Sequence, residues 1–190
     1  MNHSLLQPQV WMSSIAIQTI GAAAAAIFTA QASPGPLVDV PGLLAPAANE
    51  SLAMVVAAQG VQIYECRASS NAPAGYEWVF VAPDADLFDA DGKLVGHHAA
   101  GPQWQATDGS RVVGTVKGRV DAPMAGAIPW LLLTARSDGP PGLFSAVTSV
   151  QRINTSGGVA PAAGCVRETA GAAARVDYRA DYYFFTTTTS

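Results

Sequence analysis

The residues best suited to chemistry lie in a short block that runs from Gly96 to Trp104. This block holds His97 and His98, two of the three histidines in the chain, together with glycines, a proline and a tryptophan. Imidazole titrates near neutral pH and binds metals, so His98 with the nearby Asp108 carboxylate could form an acid–base pair or a metal site. Adjacent strand residues point to opposite faces, so the two histidines share a ligand only across a bulge. We therefore expect any site to include His98.

Aromatic residues beside these polar groups could form the wall of a pocket. The glycines and proline of the block let the backbone bend near a ligand, and Trp104 could line the resulting space. Trp130 lies in the apolar segment 128–133 and is a second aromatic of this kind. The sequence thus predicts four ligand-binding residues: His98, Trp104, Asp108 and Trp130. Of these, His98 and Asp108 are an alternative pair of metal ligands.

A structural interpretation of the same residues competes with the site interpretation. In it, His98 hydrogen-bonds a buried carbonyl beneath Trp104, and Trp130 packs in the core. No catalytic residue is predicted, since the chain lacks the GxSxG elbow of serine hydrolases. No cofactor is predicted, because phosphate-binding and dinucleotide-binding loops are also missing from the sequence.

The elements that must position these residues are strands. From Leu52 onward, short runs of β-branched and aromatic residues alternate with turn residues about every eight to twelve positions. This pattern predicts an all-β, single-domain fold, either an antiparallel β-sandwich or a closed β-barrel. We predict strands near 52–58, 61–68, 76–82, 85–89, 93–99, 103–107, 110–120, 129–136, 143–153 and 174–186.

Three polar-glycine pairs predict hairpin turns between these strands, because glycine supplies the positive φ that such turns require. They are Gln59-Gly60, Asp91-Gly92 and Asp108-Gly109. Alternation along 110–120 places two glycines on one inward face, so a large group should pack over both Gly114 and Gly118.

The first 32 residues are typical of a secretory signal peptide. An apolar run from Ile15 to Ala30 ends in the small-x-small sequence Ala30-Gln31-Ala32, and it is shorter than the roughly twenty residues of a membrane span. We expect cleavage near Ala32 and a secreted or periplasmic protein without a transmembrane span in the mature chain. A Pro-rich extended lead-in is predicted for 33–50, a β domain for 51–186 and a disordered tail for 187–190.

Export bears on Cys66 and Cys165, the only two cysteines in the chain. In an oxidising compartment a structural disulfide is the usual outcome, and one pair leaves no choice of connectivity. The bond would join an early strand to the segment before the last strand. We expect the two Cα atoms within about 7 Å of each other.

The charge of the chain limits its partners. The net charge is −4 and only 13% of residues are charged, whereas nucleic acids and acidic membrane surfaces select basic proteins. We therefore expect no nucleic acid partner, and instead a small molecule, a glycan or an envelope component. Asn49 and Asn154 each begin an N-x-Ser/Thr pattern that matters only in a host that glycosylates it.

Four motifs occur along the chain in this order: Gly60-Val61-Gln62-Ile63-Tyr64-Glu65-Cys66, Gly96-x-His98-x-x-Gly101-Pro102-x-Trp104, Ile128-Pro129-Trp130-Leu131-Leu132 and Gln151-Arg152-Ile153-Asn154-Thr155. Together they resemble a secreted family of unknown function found in proteobacteria and filamentous fungi. The resemblance covers about 40–185 and implies no established activity. Some members carry the label malate dehydrogenase, which this chain does not support, because it has no dinucleotide fingerprint and no alternation of strands with helices.

Two functional hypotheses follow from the sequence. The first is an exported β domain that binds a ligand or interacts with the envelope or cell surface. The second is a small enzyme or metal-binding protein with a site centred on His98. A concave pocket that joins His98 to Asp108 or Trp130 would favour chemistry.

Overall fold

The structure is a computed structural model that describes residues 39–72 and 75–188, so the predicted signal peptide lies outside the described residues. In this part of the chain, eight antiparallel strands form a closed barrel, which confirms the all-β prediction and selects the barrel. The same part contains no helix long and apolar enough to cross a membrane. The strands are β1 (Glu50–Ala68), β2 (Tyr76–Phe88), β3 (Leu94–Ala99), β4 (Gln103–Ala106), β5 (Arg111–Val120), β6 (Trp130–Ser137), β7 (Val147–Gly157) and β8 (Ala173–Thr187).

The alternating strand directions define two ends of the barrel. Each strand runs antiparallel to the next, and β8 pairs with β1 to close the barrel. Alternate connections therefore fall at the same end. We call the end with the connections 100–102, 121–129 and 158–172 the open end. The end with the connections 89–93, 107–110 and 138–146 is the closed end.

One of the three predicted turns is wrong. Gln59 and Gly60 lie inside β1, which runs without interruption from Glu50 to Ala68. A Cβ atom at Gly60 would overlap the backbone of Asp84 and Ala85 on β2, so this glycine permits a close approach of two strands instead of a turn. The other two turns are confirmed, with φ of 75° at Gly92 and 87° at Gly109.

The last strand is buried on both faces. Tyr178, Tyr182 and Phe184 face the barrel interior, whereas Tyr183 and Phe185 belong to a second apolar cluster on the outside. A strand with apolar side chains on both faces needs cover on both sides. The interior supplies one cover, and the polypeptide before β1 supplies the other.

The described part of the lead-in, residues 39–49, packs on the outer face of the barrel. Leu44, in the short 3-10 helix Gly42–Leu44, is fully buried there, and its carbonyl accepts a hydrogen bond of 2.7 Å from Gln151 Nε2. The C-terminal end of the domain is hydrogen-bonded to the lead-in as well. The backbone N–H of Thr188 donates to the Asn49 carbonyl at 2.8 Å, so the segment predicted as a disordered tail is paired as far as residue 188.

The two glycines of β5 lie on opposite faces, contrary to the single inward face expected from alternation. The pairing of β5 with β6 shifts between Val116 and Gly118, and such a bulge reverses which face the following residues occupy. Gly114 faces inward, where a Cβ atom would lie 3.0 Å from the Trp104 ring. Gly118 faces outward, where a Cβ atom would overlap the Leu43 carbonyl oxygen.

Candidate functional site

The open end of the barrel leads into a cavity of about 700 Å³. This volume falls within the range of roughly 300 to 1,000 Å³ that is typical of small-molecule sites. Residues from all eight strands and from the open-end connections line it. The inner walls are mainly aromatic and aliphatic, formed by Tyr64, His98, Trp104, Leu131, Leu133 and Tyr182.

Apolar side chains surround the mouth of this cavity and are exposed there. We call these four residues the rim; their exposed fractions are 49% for Phe80, 44% for Val81, 53% for Val116 and 45% for Val159. All four line the cavity. A cluster of exposed apolar side chains around one opening makes the rim a candidate binding surface, because isolated exposed residues of this kind are common but clustered ones are not.

His98 lies in the cavity wall, where a hydrogen bond and aromatic contacts hold its ring. Its Nδ1 lies 2.8 Å from the Gln103 carbonyl oxygen. The ring also stacks on Trp104, with a centroid separation of 4.6 Å and an interplanar angle of 10°. Since a carbonyl can only accept, Nδ1 carries the proton in this contact and Nε2 is left as an acceptor. The antiparallel pairing of His98 with Trp104 across β3 and β4 explains the stacking.

Burial determines the protonation state of His98. The pKa of this imidazole falls from 6.5 to about 3, mainly because burial removes it from water; the Gln103 hydrogen bond opposes the shift, and the charge interactions with Arg152 and His97 add to it. The ring is therefore neutral near neutral pH. A neutral imidazole contributes hydrogen bonding and ring stacking to the wall, but it does not exchange protons at that pH.

Trp104 forms the inner wall next to His98, and only 1% of its surface is exposed. The absence of a side chain at Gly114 makes room for its ring. Tyr182 and Phe184 meet this ring edge-on at 5.4 and 6.1 Å. Such aromatic packing fixes the indole in one position, so the inner wall of the cavity is rigid here.

Asp108 lies at the closed end, away from the cavity. Its Oδ1 accepts hydrogen bonds from the Ser110 backbone at 2.8 Å and from the Ser110 hydroxyl at 2.6 Å. Its Oδ2 accepts from the Leu143 backbone at 2.7 Å. These donors, Ser110 first, lower the pKa of the Asp108 carboxyl. The carboxylate thus joins two closed-end connections instead of meeting His98.

Trp130 lies on the outer face of the barrel, in the cluster covered by the lead-in. Its neighbours Pro129 and Leu131 line the cavity instead, because successive side chains of a strand point to opposite faces. Of the four predicted site residues, the structure therefore brings together His98 and Trp104. Among the described residues, no three His, Cys, Asp or Glu side chains are arranged to hold a metal ion.

Comparison with known families is informative for this barrel. Residues 46–186 match a family described as "Protein of unknown function (DUF3455)". The chain belongs to this family. The match extends from just before β1 to near the end of β8, so the barrel and its cavity are the DUF3455 domain, and the predicted membership of a family of unknown function is confirmed. No curated protein and no solved structure matches the chain.

The disulfide of this DUF3455 domain stabilises the open end. Cys66 and Cys165 are bonded with a Cα–Cα distance of 5.3 Å, which confirms the predicted pair. The bond attaches the connection 158–172 to the end of β1. Trp78 Nε1 donates to the Ala163 carbonyl of the same connection at 3.0 Å. Since Val159 of this connection belongs to the rim, the disulfide helps to shape the mouth of the cavity.

Arg152 was not predicted as a site residue, although it lies in the motif Gln151-Arg152-Ile153-Asn154-Thr155. Arg152 lines the cavity, and its guanidinium donates to the Pro129 carbonyl from Nε at 3.2 Å and from Nη2 at 2.8 Å. It follows Val150 by two positions on β7, so its side chain points to the same face as Val150, which packs in the core. A single charge on the inward face of a strand was the signal that could have revealed it.

Three buried polar atoms of the cavity residues have no hydrogen-bond partner among the described residues. They are Gln62 Nε2, Trp104 Nε1 and the Tyr182 hydroxyl. Burial raises the pKa of the Tyr182 hydroxyl, so this group stays protonated near neutral pH. Buried polar groups without partners are costly in a core and are typical of positions where function outweighs packing.

Proposed function

We propose that this protein is an exported binding protein that holds an apolar small molecule inside its barrel. The observation that carries the proposal is the cavity of about 700 Å³, with an aromatic inner wall and an exposed apolar rim. A ligand that covers this rim removes apolar surface from water, and each Å² removed stabilises the complex by roughly 25 cal/mol.

Export is part of the proposal. The Cys66–Cys165 disulfide supports it, because structural disulfides persist in oxidising compartments such as the periplasm and the extracellular space. The signal-peptide pattern of residues 1–32 supports it as well. A protein in that location with an internal cavity would meet its ligand outside the cytoplasm.

Binding fits the site better than acid–base catalysis does. His98 has a pKa of about 3 and is 2% exposed, whereas a general base works best with a pKa near the operating pH. Asp108, the carboxylate predicted to pair with His98, is hydrogen-bonded at the closed end instead. The apolar rim also favours an apolar ligand over a glycan, whose hydroxyl groups need many polar partners.

The proposal can be tested with N-phenyl-1-naphthylamine, an apolar dye whose fluorescence rises in apolar surroundings. We expect saturable, one-to-one binding to the mature protein. The double variant Phe80→Ser, Val116→Ser should bind the dye roughly tenfold more weakly, because two apolar contacts at the mouth are lost.

The matched control is Leu94→Ser, which removes a side chain of similar exposure, 46%, that lies outside the cavity lining. This variant should bind the dye as the wild type does. Absence of saturable binding by the wild type would overturn the proposed function. An equal loss in the Leu94→Ser variant would also overturn it, since the dye would then be binding elsewhere.

A further inference from the structure

We infer that the ligand of the cavity is an amphipathic organic monoanion whose acidic head group pairs with Arg152 and whose apolar body extends to the rim. This inference rests on the proposed function and adds the charge and the orientation of the ligand. It depends on which charged groups line the cavity, where they lie and what already pairs with them.

Three charged side chains line the cavity: Arg119, Asp121 and Arg152. Arg119 and Asp121 are exposed and of opposite sign, whereas Arg152 is half-buried. The neutral His98 adds no charge. The cavity therefore carries one net positive charge, and its most enclosed charge is the Arg152 guanidinium.

Arg152 has no counter-ion within the described residues. The five ion pairs found there join other side chains. The Pro129 carbonyl accepts hydrogen bonds from Nε and Nη2, and the neutral Tyr182 hydroxyl beside Arg152 brings no negative charge. Nη1 donates to none of the described residues. Arginine stays protonated in proteins, and an enclosed charge without a partner is costly.

A carboxylate would supply what the guanidinium lacks. It is planar, accepts two parallel N–H donors and forms hydrogen bonds about twice as strong as those of neutral groups. An alcohol could accept hydrogen bonds from the guanidinium but would leave its charge unpaired. A cation would be repelled.

The positive field of Arg152 reaches the inner wall of the cavity. Burial raises the pKa of both Tyr64 and Tyr182, and the Arg152 charge acts against this rise at each of them. The same charge helps to lower the pKa of His98. Side chains from β1, β3 and β8 therefore all experience this charge, so an anion is favoured throughout the inner half of the cavity.

The position of Arg152 along β7 orients the ligand. Val150 packs in the core on one side of it, and Val159 lies in the rim on the other. The charge is thus located between the packed interior and the apolar mouth. An acid that enters head first would place its anionic group at Arg152 and its apolar body against Phe80, Val81, Val116 and Val159. A single guanidinium matches a single anionic group.

The test compares three ligands of equal chain length, decanoate, decanol and decyltrimethylammonium, as competitors of N-phenyl-1-naphthylamine at fixed ionic strength. We expect the wild type to bind decanoate at least tenfold more tightly than decanol, and the cation most weakly. Arg152→Gln should weaken decanoate binding by about tenfold to a hundredfold, as expected for a charged hydrogen bond. It should change decanol binding by less than about threefold.

Two further variants separate a binding role from a structural one. Arg152→Lys keeps the charge and should retain a preference for decanoate. Arg136→Gln removes an exposed arginine that lies outside the cavity lining and should keep the wild-type preference. Equal binding of decanoate and decanol by the wild type would overturn the inference while leaving the proposed function standing. An unchanged preference in Arg152→Gln would overturn it too. Failure of the dye and all three competitors to bind would overturn the proposed function itself.

If Arg152→Gln does not fold, the wild-type preference and the Arg152→Lys variant decide the question. A wild type that prefers decanoate, together with a lysine variant that keeps the preference, supports the inference. A lysine variant that folds, binds decanol and shows no preference for decanoate overturns it. Thermal unfolding followed by circular dichroism shows which variants fold.

Discussion

Phenylalanine has opposite surroundings at the two ends of this barrel. At the closed end, Phe144 is fully buried and stacks on Phe184 with a centroid separation of 4.8 Å. At the open end, Phe80 leaves 49% of its surface exposed beside a cavity. The same ring fills the interior at one end and stays half exposed beside the cavity at the other.

The connections at the two ends are held differently as well. The closed-end connection 138–146 is fixed by hydrogen bonds from its backbone, where Leu143 donates to Asp108 and Phe144 donates to the Ser110 hydroxyl at 3.1 Å. The open-end connection 158–172 is tied down by the Cys66–Cys165 disulfide. We therefore expect packing at the closed end to supply more of the stability than packing around the open cavity.

The largest effect is expected from removing the ring that fills the closed end. Phe144→Ala should lower the free energy of unfolding by about 3 to 5 kcal/mol, because it leaves a cavity that the surrounding strands cannot refill. Urea unfolding measures this change. The neighbouring Leu143→Ala, at a side chain that is 44% exposed, is the matched control and should cost far less. If Phe144→Ala is as stable as the control, the packing of the Phe144 ring does not stabilise the closed end.

The disulfide should have the next largest effect, and it should affect binding as well. The double variant Cys66→Ala, Cys165→Ala should lose about 2 to 4 kcal/mol of stability, mainly through a less constrained unfolded chain. It should also bind N-phenyl-1-naphthylamine more weakly, because the connection that carries Val159 is freed. Calorimetry and dye titration measure the two effects. Weaker dye binding by Phe144→Ala than by this variant would contradict the division between the ends.

Acid should affect the two ends in different pH ranges. His98 has a folded pKa of about 3 against an ordinary value of 6.5, so between these values the unfolded chain binds a proton that the folded protein does not. Stability therefore falls as pH drops from about 6.5 toward 3, by up to about 1.4 kcal/mol per pH unit. The lowered pKa of Asp108 means that its contribution is present above the ordinary value of 3.8 and is lost as pH falls through the lower folded value.

His98→Gln tests this difference, because glutamine keeps hydrogen-bonding capacity but does not titrate. The variant should show a flatter fall in melting temperature between pH 6.5 and 4 than the wild type. Asp108→Asn should change the profile chiefly below this range, apart from a general loss of stability. If wild type and His98→Gln have the same slope, then His98 is not buried in its neutral form.

Local sequence signals predicted the features that depend on neighbours in the chain. The Asp91-Gly92 and Asp108-Gly109 turns follow from the backbone freedom of glycine, and the disulfide follows from the cysteine count and the expected compartment. Each of these features can be predicted from one segment of the sequence or from one pair of residues.

The site could be predicted only in part, because strand geometry separates residues that are close in sequence. Asp108 follows Trp104 by four positions, but each strand residue adds roughly 3.3 Å, so β4 carries the chain to the other end of the barrel. Trp130 lies in a continuously apolar run, where no polar neighbour shows which face points inward. The pairing of His98 with Trp104 was within reach because a short turn joins their strands.

The smallest change in stability is expected at the rim, where the effect on binding should be largest. Phe80→Ser removes a ring that is half exposed, so little packing is lost and the free energy of unfolding should change by no more than about 0.5 kcal/mol. The same variant removes apolar surface from the mouth and should weaken binding of N-phenyl-1-naphthylamine. Phe144→Ala should show the reverse, a large loss of stability with dye affinity changed by less than about threefold. If Phe80→Ser unfolds as readily as Phe144→Ala, the Phe80 ring is part of the core. The exposed rim would then give no support to the proposed binding function.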